Sequence, residues 1–359
     1  MSRLLAVTGA LAALASLCWV LCGCGSEIAL GTDAAAPQMP LLGNAPSFRF
    51  FSPQSFWNSP PPPDSPLDPR SSLLVDGLEA EVAQELDAGN GPWVNTVDYS
   101  VPVYRVAADQ PTLHVHLTSR FAAQPLRSAW RAVPLPPDAR PAKGSDHALV
   151  VWQPETDRLW EFWRLQYEAG TWTAAWGGAI SGVSSNPGVY GPDAWAGADR
   201  WWGSSATSLS IAGGLITFDD LQRGWINHAL AIAVPAARAA IYASPAQRTD
   251  GTSQSLVSIP EGAHLRLDPS LDLDALHLPK LTLMIARAAQ RFGIFVRDKA
   301  QVTQFFAQDP RPTGVNPYIG ASGYFEGETP SQLLTSFPWS RLQVLAMDLR
   351  RFEPQIGTG

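Results

Sequence analysis

Residues 146–166 read DHALVVWQPETDRLWEFWRLQ. Two apolar runs flank Pro154-Glu155-Thr156-Asp157, whose residues favour a turn, so the stretch predicts a β-hairpin. Each run carries an ionisable group that a buried strand does not ordinarily hold: His147 in the first and Glu161 in the second. Side chains alternate across a strand, so His147, Leu149 and Val151 share one face, as do Glu161, Trp163 and Leu165 on the partner. A loop of three or five residues sets His147 diagonally to Glu161, about 7–8 Å away. A four-residue loop built on a type I turn sends the two groups to opposite sides. The sequence leaves both registers open.

The same period of two recurs on either side. "YSVPVYRV", "TLHVHLTSR", "TWTAAWGGAISG", "NHALAIAVP", "RAAIYAS" and "AHLRLD" are short, rich in Val, Ile, Tyr or Trp, and bounded by Gly, Pro, Asn or Asp. "IFVRD" reads as a further strand, with "QVTQFFAQ" as its hairpin partner. Helical spacing is confined to "SSLLVDGLEAEVAQELDAG", with Ser71 or Ser72 as N-cap and Gly89 as the stop, and to "LPKLTLMIARAAQRFG", ending at Gly293. Many short strands with few helices predict a mainly β fold: an antiparallel β-sandwich, jelly-roll-like, with two or three covering helices. A β-propeller is the alternative, but no blade repeat is present.

The chain opens MSRLLAVTGALAALASLCWVLCGCGSE, with a basic Arg3 before an apolar stretch, the pattern of a secretory signal. Leu21-Cys22-Gly23-Cys24 resembles a bacterial lipobox, which implies lipid attachment at Cys24 and anchoring to a membrane outside the cytoplasm. Cys22 departs from the usual small residue, and cleavage by an ordinary signal peptidase, giving a secreted protein, is the alternative. Residues 1–24 are therefore expected to be the signal, 25–45 an Ala/Pro/Gly-rich tether and 46–355 one domain, monomeric. All three cysteines lie in the signal, so the domain carries no disulfide and no thiol chemistry. "FRFFSPQSFWNSPPPPDSPLDP" predicts an extended segment along the domain surface. A net charge of -7, spread without blocks and without basic patches, argues against nucleic acid as a partner.

Eight of the 14 tryptophans fall between Trp152 and Trp202. Indole N–H groups need partners when buried, whereas half-exposed rings stack well on sugars. Trp160 with Phe162 is expected in the core, and Trp163, Trp176 and Trp202 are the candidates for a glycan surface. "WGGAISGVSSNPGVYG" and "WWGSSATSLSIAGGLI" supply Gly-rich loops without dinucleotide, phosphate-loop or nucleophile-elbow spacing, so no cofactor is expected. In "DDLQRGWINHALAIAVP" a helical turn ending at Gly224 introduces a strand in which His228 is the only ionisable group. Arg248 in "SPAQRTDGTS" could grip a uronate carboxylate in two-pronged fashion or pair with Asp250. His114 with His116, or His147 with Glu161 and His228, could ligate an ion, but the spacing lacks a zinc signature and no metal is expected.

The run "DHALVVW…LWEFWR…WGGAI…WGSSATSL…GGLI…INHALAI…PAQRTDG…IPEGAHLRLDPSLDL…AAQRFGIFVRD" resembles a family of secreted bacterial proteins, over most of the chain from Phe51 onward. That resemblance carries no reaction with it. A looser one, of architecture alone, is to jelly-roll polysaccharide lyases and hydrolases. Together these readings predict an extracytoplasmic carbohydrate-active enzyme acting on a polysaccharide or cell-envelope glycan. In a hydrolase, Glu161 would be the general acid and Asp146 or Asp250 the second carboxylate. In a lyase, His147 or His228 would take the proton beside a uronate held by Arg248. The alternative is a glycan- or envelope-binding lipoprotein without turnover.

Overall fold

In the computed structural model, which describes residues 48–119, 124–191 and 202–352, the Asp146–Gln166 hairpin closes through four residues. Gln153 pairs with Arg158, and Pro154–Thr156 form one 3-10 turn that ends on Asp157 in the left-handed region, φ 54°. Glu161 is therefore opposite Val150, while His147 stands before the strand with its own left-handed φ of 40°. The hairpin strands Leu149–Gln153 and Arg158–Trp163 form the middle of a four-stranded sheet, with Val103–Arg105 and Trp176–Ser181 at its edges. "TWTAAWGGAISG" is divided: Thr171–Ala174 joins Val115–Leu117 and Gln166–Glu168 in a separate three-stranded sheet.

The largest sheet has six strands, in the order Trp93–Asn95, Gln304–Phe306, Leu230–Val234, Ile294–Lys299, His264–Leu267 and Leu342–Val344. Ile241–Ala243 and Leu349–Arg351 form a two-stranded ribbon. The protein is mainly β, with four α-helices among the described residues.

The expectation of antiparallel pairing throughout is corrected, because the sheets are mixed. Trp93–Asn95 runs parallel to Gln304–Phe306, Ile294–Lys299 to Leu230–Val234, Val103–Arg105 to Leu149–Gln153, and Val115–Leu117 to Thr171–Ala174. The hairpin expected between "IFVRD" and "QVTQFFAQ" does not form either. Both edges of Ile294–Lys299 are taken, by His264–Leu267 and Leu230–Val234, so Gln304–Phe306 crosses over to the far side of Leu230–Val234.

The two longer helices cover the large sheet. Ser71–Ala88 packs on Leu342–Val344 through a face that includes Leu74, Val75, Leu78 and Val82. Its expected serine cap is replaced: Arg70 holds the N-cap position, and the Ser71 hydroxyl instead accepts the Val344 N–H at 2.8 Å, tying the helix to the edge strand. Gly89 ends the helix as expected, with φ 66° and its N–H on the Glu85 and Leu86 carbonyls. Lys280–Arg291 packs on His264–Leu267 and Leu230–Val234. No helix among the described residues is long and apolar enough to cross a membrane.

One apolar core contains side chains of both main sheets, among them Val150, Trp160, Ala231, Phe295 and Phe306. The aromatic segment expected on the surface enters this core: Phe50, Phe51 and Trp57 are buried, and Gly188, Gly213 and Gly214 leave room for the Trp57 ring.

A similar fit governs the four-stranded sheet. Gly178 sits opposite Glu161, and a Cβ there would lie 2.3 Å from the Tyr190 ring. Gly178→Ala is therefore expected to destabilise the protein by about 1–3 kcal/mol, whereas Gly191→Ala, whose added carbon meets nothing within 4 Å, stays within about 0.5 kcal/mol of wild type. Urea unfolding of the two variants makes the comparison.

Candidate functional site

Glu161 has no solvent-exposed surface. Its carboxylate accepts the Ser204 N–H at 2.7 Å, the Ser210 hydroxyl at 2.8 Å and the Ile211 N–H at 2.9 Å, with the Tyr190 phenol beside it. Burial pushes the carboxyl up, and these donors pull it back. A general acid must reach a substrate oxygen, and here the carboxylate is turned into the 203–211 segment, so the acid role expected for Glu161 is corrected to a structural one.

His228 is likewise occupied. Nε2 lies 3.1 Å from Asp220 Oδ2 and Nδ1 lies 2.9 Å from the Ala229 carbonyl. Both partners offer acceptor oxygens, an arrangement that favours the doubly protonated ring. Burial alone would lower the His228 pKa, but the Asp220 charge and hydrogen bond raise it. Burial alone would raise the Asp220 carboxyl, and His228 with Thr217 brings it below the ordinary value. Asp220 also accepts the Thr217 N–H and hydroxyl at the start of helix Phe218–Arg223, a reciprocal cap, and pairs with Arg223 at 2.5 Å. The ring is buried with both nitrogens engaged by interior partners, so the base role expected for His228 is also corrected. His147 is partly buried, its Nδ1 3.3 Å from the Ala142 carbonyl. The His114 and His116 rings lie against each other, tilted by 33° with centroids 3.9 Å apart.

Of the tryptophans, Trp160 is buried with Phe162, as expected. Trp202 is wholly buried in the same core, which corrects its assignment to a glycan surface. Trp163 and Trp176 are half-buried and directly opposite each other across the last pair of the four-stranded sheet. The Trp163 indole donates to Asp146 at 3.0 Å, and the Arg164 guanidinium stacks 4.5 Å from its ring centre. Trp195, Trp201 and Cys24 lie outside the described residues.

Within electrostatic reach of Asp146 is a group of carboxylates that the sequence expectations captured only in part. Asp250 is exposed, Asp298 half-buried and Glu261 wholly buried, yet one carboxylate oxygen of each lies within 4.8 Å of the others. Burial raises the Asp298 carboxyl to about 7, with the Asp250 and Asp146 charges adding to the rise and Arg297 opposing it. Burial likewise pushes Glu261 to about 8, helped by the charges of Asp298 and Asp250. Arg248 does not pair with Asp250; its guanidinium donates to the Ser205 carbonyl at 2.8 Å and the Gly203 carbonyl at 3.4 Å, and Asp250 instead faces Lys299 at 3.9 Å.

Asp298 follows a β-bulge: the pairing of Ile294–Lys299 with Leu230–Val234 skips from Val296 to Asp298, leaving Arg297 as the extra residue. Asp298 and Arg297 were open to the argument that singled out Glu161, since both are charged groups in an apolar run. Glu261, in "IPEGAH", gave no comparable signal.

The structure thus brings Asp250 together with Asp298 and Glu261, sets Asp146 within electrostatic reach of Asp298 and in a hydrogen bond with Trp163, which faces Trp176, and leaves Glu161, His228 and Trp202 inside the protein. Oxygen-only ligands of this kind suit a hard cation, and the paired tryptophans suit the apolar face of a sugar. Compared with protein families, curated proteins and solved structures, the chain matches none of them.

The buried Asp220–His228 pair makes a pH prediction. A histidine whose pKa is raised by folding adds stability that is full below its ordinary value of 6.5 and is lost as pH rises through the higher folded value. Wild type should therefore lose stability relative to His228→Gln above that point. Denaturation midpoints of both proteins, measured from about pH 5 to about pH 9, should converge on the alkaline side.

Proposed function

We propose that this protein is an extracytoplasmic glycan-binding protein, lipid-anchored through Cys24, that engages a polysaccharide or cell-envelope glycan at the Trp163–Trp176 end of the four-stranded sheet. The observation that carries this reading is the opposed pair of half-buried indoles, one of them fixed by Asp146 and Arg164. Fixed aromatic rings present apolar area with little conformational entropy left to lose, and the Asp146 carboxylate beside them can accept sugar hydroxyls. A binding role also accords with the positions of Glu161 and His228, whose polar atoms are committed to the interior.

A second reading, turnover, has its own support. Asp250, Asp298 and Glu261 converge, Asp146, which holds the Trp163 indole, acts electrostatically on Asp298, and paired carboxylates are the usual equipment of glycoside hydrolysis. A jelly-roll architecture like that of lyases and hydrolases would belong to this reading.

Affinity electrophoresis of the domain through gels containing neutral or uronate-bearing polysaccharides tests the first reading. Trp163→Ala and Trp176→Ala should each weaken retardation about tenfold, equivalent to roughly 1.4 kcal/mol. Retardation unchanged in both variants would remove the Trp surface from the account. New reducing ends or unsaturated-uronate absorbance, abolished by Asp298→Asn, would establish turnover instead.

A further inference from the structure

We propose that Asp250, Glu261 and Asp298 form a binding site for a divalent cation, with Ca2+ the preferred ion. The three side chains come from separate parts of the chain: the loop after Thr249, the segment before strand His264–Leu267, and the bulged strand Ile294–Lys299. Their carboxylate oxygens nevertheless converge within 4.8 Å of one another. Three ionised carboxylates at that spacing repel strongly unless a cation or protons lie among them.

The cationic side chains nearby do little of this. Lys299 reaches only Asp250, at 3.9 Å, and is itself partly exposed. Arg297 directs one guanidinium nitrogen to the Ile211 and Gly213 carbonyls, 2.9 Å each, and lays its plane over Phe306 at 3.9 Å.

Glu261 supplies the second, independent observation. Its Oε2 accepts from the Thr249 hydroxyl and from the Asp250 N–H at 3.0 Å, but its Oε1 is buried and has no hydrogen-bond partner among the described residues. A buried carboxylate oxygen without a donor is costly, and a metal ion supplies what no N–H here does.

The ligand set identifies the ion's class. Three carboxylates with no nitrogen or sulfur favour a hard cation. Ca2+ takes oxygens at about 2.3–2.6 Å in an adaptable geometry that suits carboxylates from three separate parts of the chain, whereas Mg2+ at about 2.1 Å demands a stricter octahedron. The exposure of Asp250 leaves one side of the site open to solvent, so water can complete the six to eight oxygens that Ca2+ takes.

The inference does not depend on the glycan reading, and it is tested without any glycan. The wild-type domain is stripped with EDTA, dialysed and titrated calorimetrically with CaCl2 and, separately, with MgCl2; thermal unfolding is followed in parallel. One Ca2+ per chain and a higher Tm in Ca2+ than in EDTA are expected. Asp250→Asn, a change at an exposed side chain that leaves the Asp250 N–H on Glu261 intact, should weaken Ca2+ binding about tenfold or more, with the EDTA-state Tm close to wild type. Asp298→Asn should do the same. Absence of heat and of a Tm shift at millimolar Ca2+ would overturn the site, as would undiminished binding in both variants. Tighter binding of Mg2+ than of Ca2+ would overturn the choice of ion.

Discussion

The constraint on which the molecule turns is the need to bury a loop. Residues 202–217 contain no long regular element, yet nearly all of them are buried between the two main sheets. Loops ordinarily stay at the surface because their N–H and C=O groups lack regular partners. This one is supplied with partners from both sides. Glu161, on the four-stranded sheet, takes the N–H groups of Ser204 and Ile211, and Arg297, on the six-stranded sheet, gives to the carbonyls of Ile211 and Gly213. Arg248 adds bonds to the carbonyls of Gly203 and Ser205, and Gly214 and Ile216 join the large sheet through Ala231 and Phe306. An acid supplies acceptors and a base supplies donors, so each charged group serves the loop atoms that need it. Burial costs both: it raises the Glu161 carboxyl and lowers the Arg297 guanidinium to about 10. The dense set of hydrogen bonds offsets that cost.

The bulge that makes Arg297 an extra residue lies directly before Asp298. A regular strand would send neighbouring side chains to opposite faces in strict alternation. Arg297 turns to the buried loop and its neighbour Asp298 meets Asp250 and Glu261, the division that such alternation gives. Two adjacent residues of one strand thus serve the buried loop and the carboxylate group.

Much of the element pattern was legible in the sequence, because it rests on local rules. The hairpin at Pro154–Asp157, the helix stop at Gly89, the helix before Gly293 and the short helix before Gly224 follow from turn chemistry and periodicity. Strand partners were not legible. Parallel pairing depends on which edges remain free once the other strands have taken their places, as Gln304–Phe306 demonstrates by crossing Leu230–Val234. Among the site residues, Glu161 and His228 drew attention for a sound reason, that ionisable groups in apolar runs need partners. What the sequence could not reveal is that the partners are inside: backbone N–H groups for Glu161, and Asp220 with a carbonyl for His228.

Two buried glutamates show how such groups can be told apart. Glu161 and Glu261 are equally inaccessible to solvent, and burial raises both carboxyls. Glu161 has donors on both oxygens, so it asks for nothing more and its neutralisation would release the loop it holds. Glu261 has donors on one oxygen only, and its nearest charged neighbours are two further carboxylates. Burial alone therefore does not mark a functional acid. The distinction lies in whether the protein has already supplied a partner for every lone pair, and at Glu261 it has not. A residue kept in that condition is stable only with a proton or a cation beside it, and the open side at Asp250 gives both a way in.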